Sequence, residues 1–141
     1  SAVNYTISPS GKNIIIFDDK IQSMIYMDSE GNKHDITNAA YVSTSGTTFE
    51  KDKVLSQRPD YIWCSTPKFI DDDNIAYLSQ LPWFNKTTKF VWVENLKTKV
   101  NSRIDNLSGE NIKFEDAQSK GLPVVLDGVT KFLSPSGSVA N

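Results

Sequence analysis

Short apolar runs separated by turn residues are the feature that most constrains how this chain of 141 residues can fold. Each run is a few residues long and rich in β-branched or aromatic side chains, and Asp, Asn, Ser, Gly or Pro lie between the runs. Strands of this length and spacing are typical of antiparallel all-β folds. We therefore predict a mainly β fold of meandering antiparallel sheets, in a single domain spanning residues 1–141. The predicted strands are residues 13–18, 23–28, 33–37, 60–65, 74–79, 89–94, 112–114, 123–126 and 129–133.

Only residues 49–57 carry a competing helical pattern. Thr48 is a typical N-cap residue, and Glu50 and Asp52 would favour the first turn of a helix that begins after it. Pro59 would end that helix. We predict at most one short helix, near residues 49–57.

Two stretches of the chain repeat the same order of strands and turns. Residues 5–37 and 60–104 each read as strand, polar turn, apolar strand, loop, apolar strand, turn and return strand, and residues 112–137 form a partial third unit. The turn Ser8-Pro9-Ser10-Gly11 recurs at residues 134–137, where Pro again presets one turn dihedral and Gly accepts a positive φ.

Together with Asn74-Ile75-Ala76-Tyr77, these motifs resemble the blades of TolB-like and prolyl-oligopeptidase-type β-propellers. The chain is also similar to a small uncharacterised extracytoplasmic domain of low-GC Gram-positive bacteria. A closed propeller needs about four or more blades. The resemblance therefore implies an incomplete propeller-like arrangement, or sheets packed face to face as a sandwich.

Composition narrows the classes of function. Fifteen basic and seventeen acidic residues give a net charge of −2, which argues against a general nucleic-acid binder. The apolar runs are too short for this segment to insert into a membrane. One Cys and one His argue against a disulfide or a Cys-based zinc site, so we predict no cofactor and no metal.

No motif points to catalysis, and we predict that the protein is not an enzyme. His34 lies beside Asp35, but no nucleophile elbow accompanies them. Cys64 has no basic neighbour that would activate its thiol. The acidic residues 71–74 lack the spacing of an EF-hand loop and read as a turn. A carboxylate-dependent hydrolase stays as a less favoured alternative, because seventeen acidic residues allow many spatial pairs.

Aromatic residues are the candidate ligand-binding groups. Trp83 and Phe84 lie in residues 81–86, which we expect to form a protruding loop between two paired strands. An exposed apolar loop marks an interaction site, and the alternative is a loop that folds back as a hydrophobic plug. Trp92 and Tyr77 complete the candidate set as ring platforms, with core packing as their alternative.

These observations predict a binding or sensor module outside a bacterial cell, for a protein or cell-envelope ligand. The alternative is a glycan-binding accessory domain, and the 81–86 loop is also a candidate surface for self-association. Abundant Asn, Ser and Thr with a lone Cys favour an extracytoplasmic, secreted or surface-anchored location. Since residues 1–10 show no secretory leader, we expect a leader or anchor to lie outside this chain.

Overall fold

Fourteen strands and one helix make up residues 3–141, the part of the chain that the computed structural model describes. The first sheet contains β1 (Val3–Ile7), β2 (Ile14–Asp18), β3 (Ser23–Met27) and β4 (Lys33–Asp35). A hairpin of β5 (Ala40–Val42) and β6 (Thr48–Glu50) leads into α1 (Lys51–Gln57). The second sheet contains β7 (Ser65–Phe69), β8 (Asn74–Ser79), β9 (Lys89–Asn95) and β10 (Asn101–Gly109). The third contains β11 (Ile112–Phe114), β12 (Leu122–Leu126), β13 (Val129–Leu133) and β14 (Val139–Ala140).

Each four-stranded sheet is a meander in which neighbouring strands pair antiparallel. The prediction of a mainly β fold with antiparallel sheets and one short helix is therefore confirmed. The expected pairing of residues 74–79 with residues 89–94 is also present, with Tyr77 opposite Trp92.

The second sheet is the middle layer of the fold. All six residues of β8 are buried, and successive side chains enter two different cores because side chains alternate across a strand. Ile75 and Tyr77 belong to the core shared with the first sheet, whereas Ala76 and Leu78 belong to the core shared with the third sheet. We call these the first core and the second core. Sheets that cover both faces explain why residues 75–78 of β8 are apolar without interruption.

The two cores draw on different sheets. In the first core, Ile15, Phe17 and Met24 of the first sheet pack with side chains of β8 and β9. In the second core, Leu122 and Val124 of the third sheet pack against the opposite face of the second sheet. The first strands of the first and second sheets, β1 and β7, also lie side by side.

The helix begins later than its sequence suggested. Thr48 and Phe49 lie in β6, where they pair with Val42 and Tyr41, so Thr48 does not cap the helix. Glu50 occupies the N-cap position with an extended backbone and no side-chain capping hydrogen bond. Hairpin pairing therefore overrides the local capping signal.

The predicted strand at residues 60–65 was wrong, because the strand starts at Ser65. Two side-chain amides take the place of a neighbouring strand. Gln22 Oε1 accepts from the N–H groups of Trp63 and Cys64 at 2.7 and 3.1 Å, and Gln22 Nε2 donates to the Tyr61 carbonyl at 2.7 Å. Gln80 Oε1 accepts from the next N–H group, that of residue 62, at 2.7 Å. This segment stays buried without pairing in a sheet.

The repeated Ser-Pro-Ser-Gly turn occupies different places in the first and third sheets. Residues 8–11 connect β1 to β2, whereas residues 134–137 connect β13 to β14. In both turns the glycine N–H donates to the serine carbonyl, at 2.8 Å for Gly11 and 3.0 Å for Gly137. Both glycines have positive φ, which explains the residue type. The same turn chemistry thus joins the first strand pair of one sheet and the last pair of another.

Candidate functional site

The segment between β8 and β9 neither protrudes as a whole nor folds back as a whole. Leu81 is buried at the end of the first core, and Phe84 is half-buried against that core. The Trp83 side chain points outward and is 41% exposed. The expectation of a protruding loop over residues 81–86 is therefore corrected: the structure presents one aromatic ring and anchors its neighbours.

Side-chain hydrogen bonds hold this loop in place. Gln80 Nε2 donates to the Lys86 carbonyl at 2.8 Å, while Gln80 Oε1 accepts from the Ile62 N–H on the other side. The Tyr61 hydroxyl donates to the Trp83 carbonyl at 2.7 Å. Burial raises the pKa of Tyr61, so its hydroxyl remains a donor at neutral pH. The Trp83 side chain is thus exposed on a loop whose backbone is hydrogen-bonded at both Trp83 and Lys86.

A stack of rings lies beneath the loop. The Phe84 ring lies 5.0 Å from the Tyr61 ring at an interplanar angle of 13°, and 4.6 Å from the Phe49 ring. The Arg58 guanidinium lies over the same stack, 5.5 Å from the Tyr61 centroid and 6.0 Å from the Phe84 centroid. Guanidinium groups stack favourably on aromatic faces, and this limits the orientations that Arg58 adopts.

A cleft of about 600 Å³ opens beside this stack. Its volume lies within the range of about 300–1,000 Å³ that is common for small-ligand sites. Apolar ring surface and hydrogen-bonding side chains both contribute to its walls. The cleft is lined by Arg58, Asp60, Tyr61, Gln80, Phe84, Asn85, Lys86, Thr87 and Thr88. We call it the Arg58 cleft.

The charges of the Arg58 cleft are not neutralised by internal pairing. Among residues 3–141, no ion pair involves Arg58, Asp60 or Lys86. Lys86 instead places Nζ 4.5 Å from the centroid of the Trp83 ring, which joins the exposed tryptophan to the edge of the cleft. Two cationic groups and one carboxylate therefore remain available to a ligand.

Glu110 fixes the far end of the cleft wall. Its carboxylate accepts from the hydroxyl groups of Thr87 at 2.7 Å and Thr88 at 3.1 Å. These hydrogen bonds, that from Thr87 above all, lower the pKa of Glu110. Thr87 and Thr88 are thus hydrogen-bonded to the short connection between β10 and β11.

Tyr77 and Trp92 are not exposed ring platforms. They are 3% and 5% exposed, and their rings stack at 6.4 Å inside the first core. The Tyr77 hydroxyl donates to Asn101 Oδ1 at 2.5 Å, and Trp92 Nε1 donates to the Leu81 carbonyl at 3.2 Å. Core packing thus accounts for both rings, and Trp92 supports the Trp83 loop from below. Of the four candidate residues, Trp83 is the most exposed, and Phe84 lines the Arg58 cleft with part of its ring.

The remaining chemical candidates have structural surroundings. His34 is exposed on β4 and stacks on Tyr26 at 6.5 Å. Burial raises the pKa of the Cys64 thiol to about 12, and the thiol donates to the Gln22 carbonyl. Asp71 Oδ1 accepts from the backbone N–H groups of residues 73 and 74, which is the geometry of a polar turn.

Sequence reasoning missed most of the cleft. Arg58 and Asp60 flank a proline after a short helix, and their spacing carries no recognisable motif. The role of Gln80 arises from hydrogen bonds to two distant backbone groups, which no local pattern encodes. Only the Trp83-Phe84 pair gave a signal that pointed to this region.

No protein-family model matches this chain, and no curated protein matches it. Within residues 3–141, no helix has the length and apolar character needed to cross a membrane. The same residues contain no group of three or more His, Cys, Asp or Glu side chains that could hold a metal ion.

Proposed function

We propose that this chain is a non-enzymatic binding module whose ligand occupies the Arg58 cleft and contacts Trp83. The observation that carries the proposal is the Arg58 guanidinium, which is stacked on Tyr61 and Phe84 but has no carboxylate partner among residues 3–141. A site that combines apolar ring surface, a few oriented polar groups and a concave shape is typical of ligand recognition. Holding the loop in place before binding also lowers the entropic cost of binding.

The proposal includes a setting outside a bacterial cell and a ligand of the cell envelope, either a protein or a surface polymer. It also relates the chain to the TolB-like and prolyl-oligopeptidase-type propeller repeats. Three four-stranded antiparallel meanders and a repeated Ser-Pro-Ser-Gly turn support that relation. A fold-level analogy of this kind carries no activity, and the proposed function rests on the residues of the cleft.

A glycan is the second candidate ligand, and Trp83 favours it. An exposed indole ring gives the apolar face of a sugar a flat surface, while neighbouring amide and hydroxyl groups serve its hydroxyls. Asn85, Thr87 and Thr88 supply such groups in the cleft wall. Hydrolysis is supported less well, because glycosidases use a pair of carboxylates, and Asp60 is the one carboxylate in the cleft lining.

Titration with defined envelope fragments tests this proposal. The probes are muropeptides, teichoic-acid fragments and N-acetylglucosamine oligomers, followed by amide chemical shifts of the ¹⁵N-labelled protein. We expect at least one probe to shift the amides of residues 80–88. We also expect Arg58→Ala and Trp83→Ala each to weaken that binding about tenfold or more, equal to about 1.4 kcal/mol.

Arg103→Ala is the matched control. Arg103 also lies over an aromatic ring, that of Phe90 at 5.3 Å, but it pairs with Asp105 and does not line the cleft. Equal loss of binding in Arg58→Ala and Arg103→Ala, or shifts confined to residues outside the cleft, would rule out the Arg58 cleft as the ligand site.

A further inference from the structure

Among residues 3–141, no sheet covers the outer face of the first sheet, which is apolar except at the end where the buried Lys51 of α1 donates to Ser23. Side chains of this sheet that belong to the first core, such as Ile15, Phe17 and Met24, project from the opposite face. The register places the remaining side chains in three rows across the sheet, and the row that contains Asp18 and Ser23 is polar. Of the two apolar rows, one is Tyr5, Ile16 and Ile25, and the other is Ile7, Ile14 and Met27.

This face is open to solvent. Tyr5 is 70% exposed and Ile7 is 50% exposed, and neither belongs to the first or the second core. The other four apolar residues of the two rows are half-buried and are also outside both cores. An apolar patch that continues across three strands and has charged residues at its edge is a candidate interaction surface.

The two rows end in opposite charges on β4. Asp35 follows Ile25 in the first row, and Lys33 follows Met27 in the second. Both charged residues are exposed, and neither forms an ion pair within residues 3–141. A twofold axis that runs across the strands would exchange the two rows. Lys33 of one copy would then lie opposite Asp35 of the other, and the reverse pair would form at the same time.

We propose that this face is the interface of a symmetric dimer of this chain, in which the two first sheets stack face to face. The surface is self-complementary in charge, as a twofold interface requires. The outer face of the third sheet does not offer an equivalent partner, because exposed Lys113 and Thr130 lie on it. Stacking of unlike faces into longer assemblies is therefore disfavoured.

The size of the face limits the strength of the dimer. Strands of five residues are about 17 Å long, and four strands span about 19 Å, so the footprint is roughly 300 Å² per copy. That is small beside the roughly 800 Å² per partner of a standard stable interface. The dimer should therefore dissociate in the micromolar range rather than the nanomolar range.

Sedimentation equilibrium across about 1 to about 500 µM protein tests the dimer. We expect monomer at the low end and dimer at the high end. Ile16→Lys, which places a charge in the middle of the face, should weaken the dimer at least tenfold. Thr130→Lys adds the same charge to the outer face of the third sheet and should leave the association unchanged. Far-UV circular dichroism confirms that each variant is folded.

A charge exchange identifies the partner as a second copy. Lys33→Glu alone should weaken the dimer, because each Asp35 would then face a carboxylate. Adding Asp35→Lys to Lys33→Glu should restore the affinity to within about threefold, since the exchanged pairs are again complementary. A protein that stays monomeric throughout, or a double variant that is not restored, would overturn the proposal. So would loss of the dimer in Trp83→Ala, which would place self-association at the loop between β8 and β9.

Discussion

Replacing Glu94 with Gln should stabilise this protein at neutral and alkaline pH. Glu94 lies near the end of β9 and is 1% exposed, and its Oε1 has no hydrogen-bond partner among residues 3–141. Burial raises the pKa of its carboxyl group from 4.5 to about 8; Lys99 opposes the rise and Asp35 adds to it. A buried carboxylate without a partner is costly, so the folded protein holds this group in its neutral form.

The size of the effect follows from the two pKa values. Between pH 4.5 and about 8 the unfolded chain has released a proton that the folded chain still binds. The free energy of unfolding therefore falls by about 1.4 kcal/mol for each pH unit in this window, and by roughly 5 kcal/mol over all of it. The raised pKa of Glu94 makes its full contribution to folding stability below pH 4.5, and this contribution is lost once the pH exceeds the folded-state pKa of about 8. The amide introduced by Glu94→Gln would carry no charge at any of these pH values.

Urea unfolding of the wild type and Glu94→Gln at about pH 5, 6.5 and 8 measures this difference. We expect similar stability at the lowest pH and an advantage of about 3–5 kcal/mol for Glu94→Gln at the highest. Glu115→Gln removes a carboxylate from an exposed position and should stay within about 0.5 kcal/mol of the wild type. If the curves of the wild type and Glu94→Gln run parallel across this range, Glu94 is solvated or paired and the reasoning fails.

Three further predictions concern the Gln22 side chain, the Cys64 thiol and the two aromatic residues of the Trp83 loop. Gln22→Ala should lower the free energy of unfolding in urea by about 3 kcal/mol or more, because buried backbone groups lose their hydrogen-bond partners. The exposed Gln57→Ala is the control and should change stability little. Similar urea midpoints for the two variants would show that the Gln22 hydrogen bonds do not stabilise the fold. Cys64 should resist thiol reagents at about pH 8 in the folded protein and react in urea; equal rates in both states would show an accessible thiol. Phe84→Ala should lower the free energy of unfolding by about 2–4 kcal/mol, because Phe84 packs against the first core. Trp83→Ala should lower it by less than about 1 kcal/mol, because the Trp83 side chain is exposed. The opposite order would show that Trp83 rather than Phe84 is packed in the core.

Local patterns predicted most of the strands because each carries its own signal. β2, β8 and β9 are runs of β-branched and aromatic residues bounded by polar turns, and the structure has strands at all three. The pairing of β8 with β9 followed from their adjacency in the chain. The stacking order of the sheets was not predictable in the same way, since it depends on contacts between residues far apart in sequence.

Residues 60–64 show why a good strand signal can fail. The segment has the apolar and aromatic residues that strands favour, but the N–H groups of residues 62–64 are bonded to the side chains of Gln22 and Gln80. A glutamine that substitutes for a neighbouring strand has no signature in its own sequence surroundings. The same Gln80 amide also fixes the loop that bears Trp83, so the error in the strand and the missed cleft share one cause.

The direction of each aromatic side chain in the Trp83 loop was likewise outside the reach of local sequence. Phe84 turns inward because Phe49 and Tyr61, from two other parts of the chain, provide a ring on either side. Within residues 3–141, Trp83 has no such aromatic partner in the core, and Lys86 of its own loop is the one cationic group over its ring. The sequence identified the pair of residues, whereas their different roles follow from tertiary packing.

The apolar pattern of β2 supports the proposed dimer independently of the exposure of its face. A strand with one solvated face normally alternates apolar and polar side chains, whereas a strand covered on both faces is apolar throughout. β8 reads Ile75-Ala76-Tyr77-Leu78, and both of its faces are covered. β2 reads Ile14-Ile15-Ile16-Phe17, yet only the face that bears Ile15 and Phe17 has a covering sheet within residues 3–141. By the pattern that β8 follows, the Ile14 and Ile16 face is suited to a second apolar layer, which the proposed symmetric partner would supply.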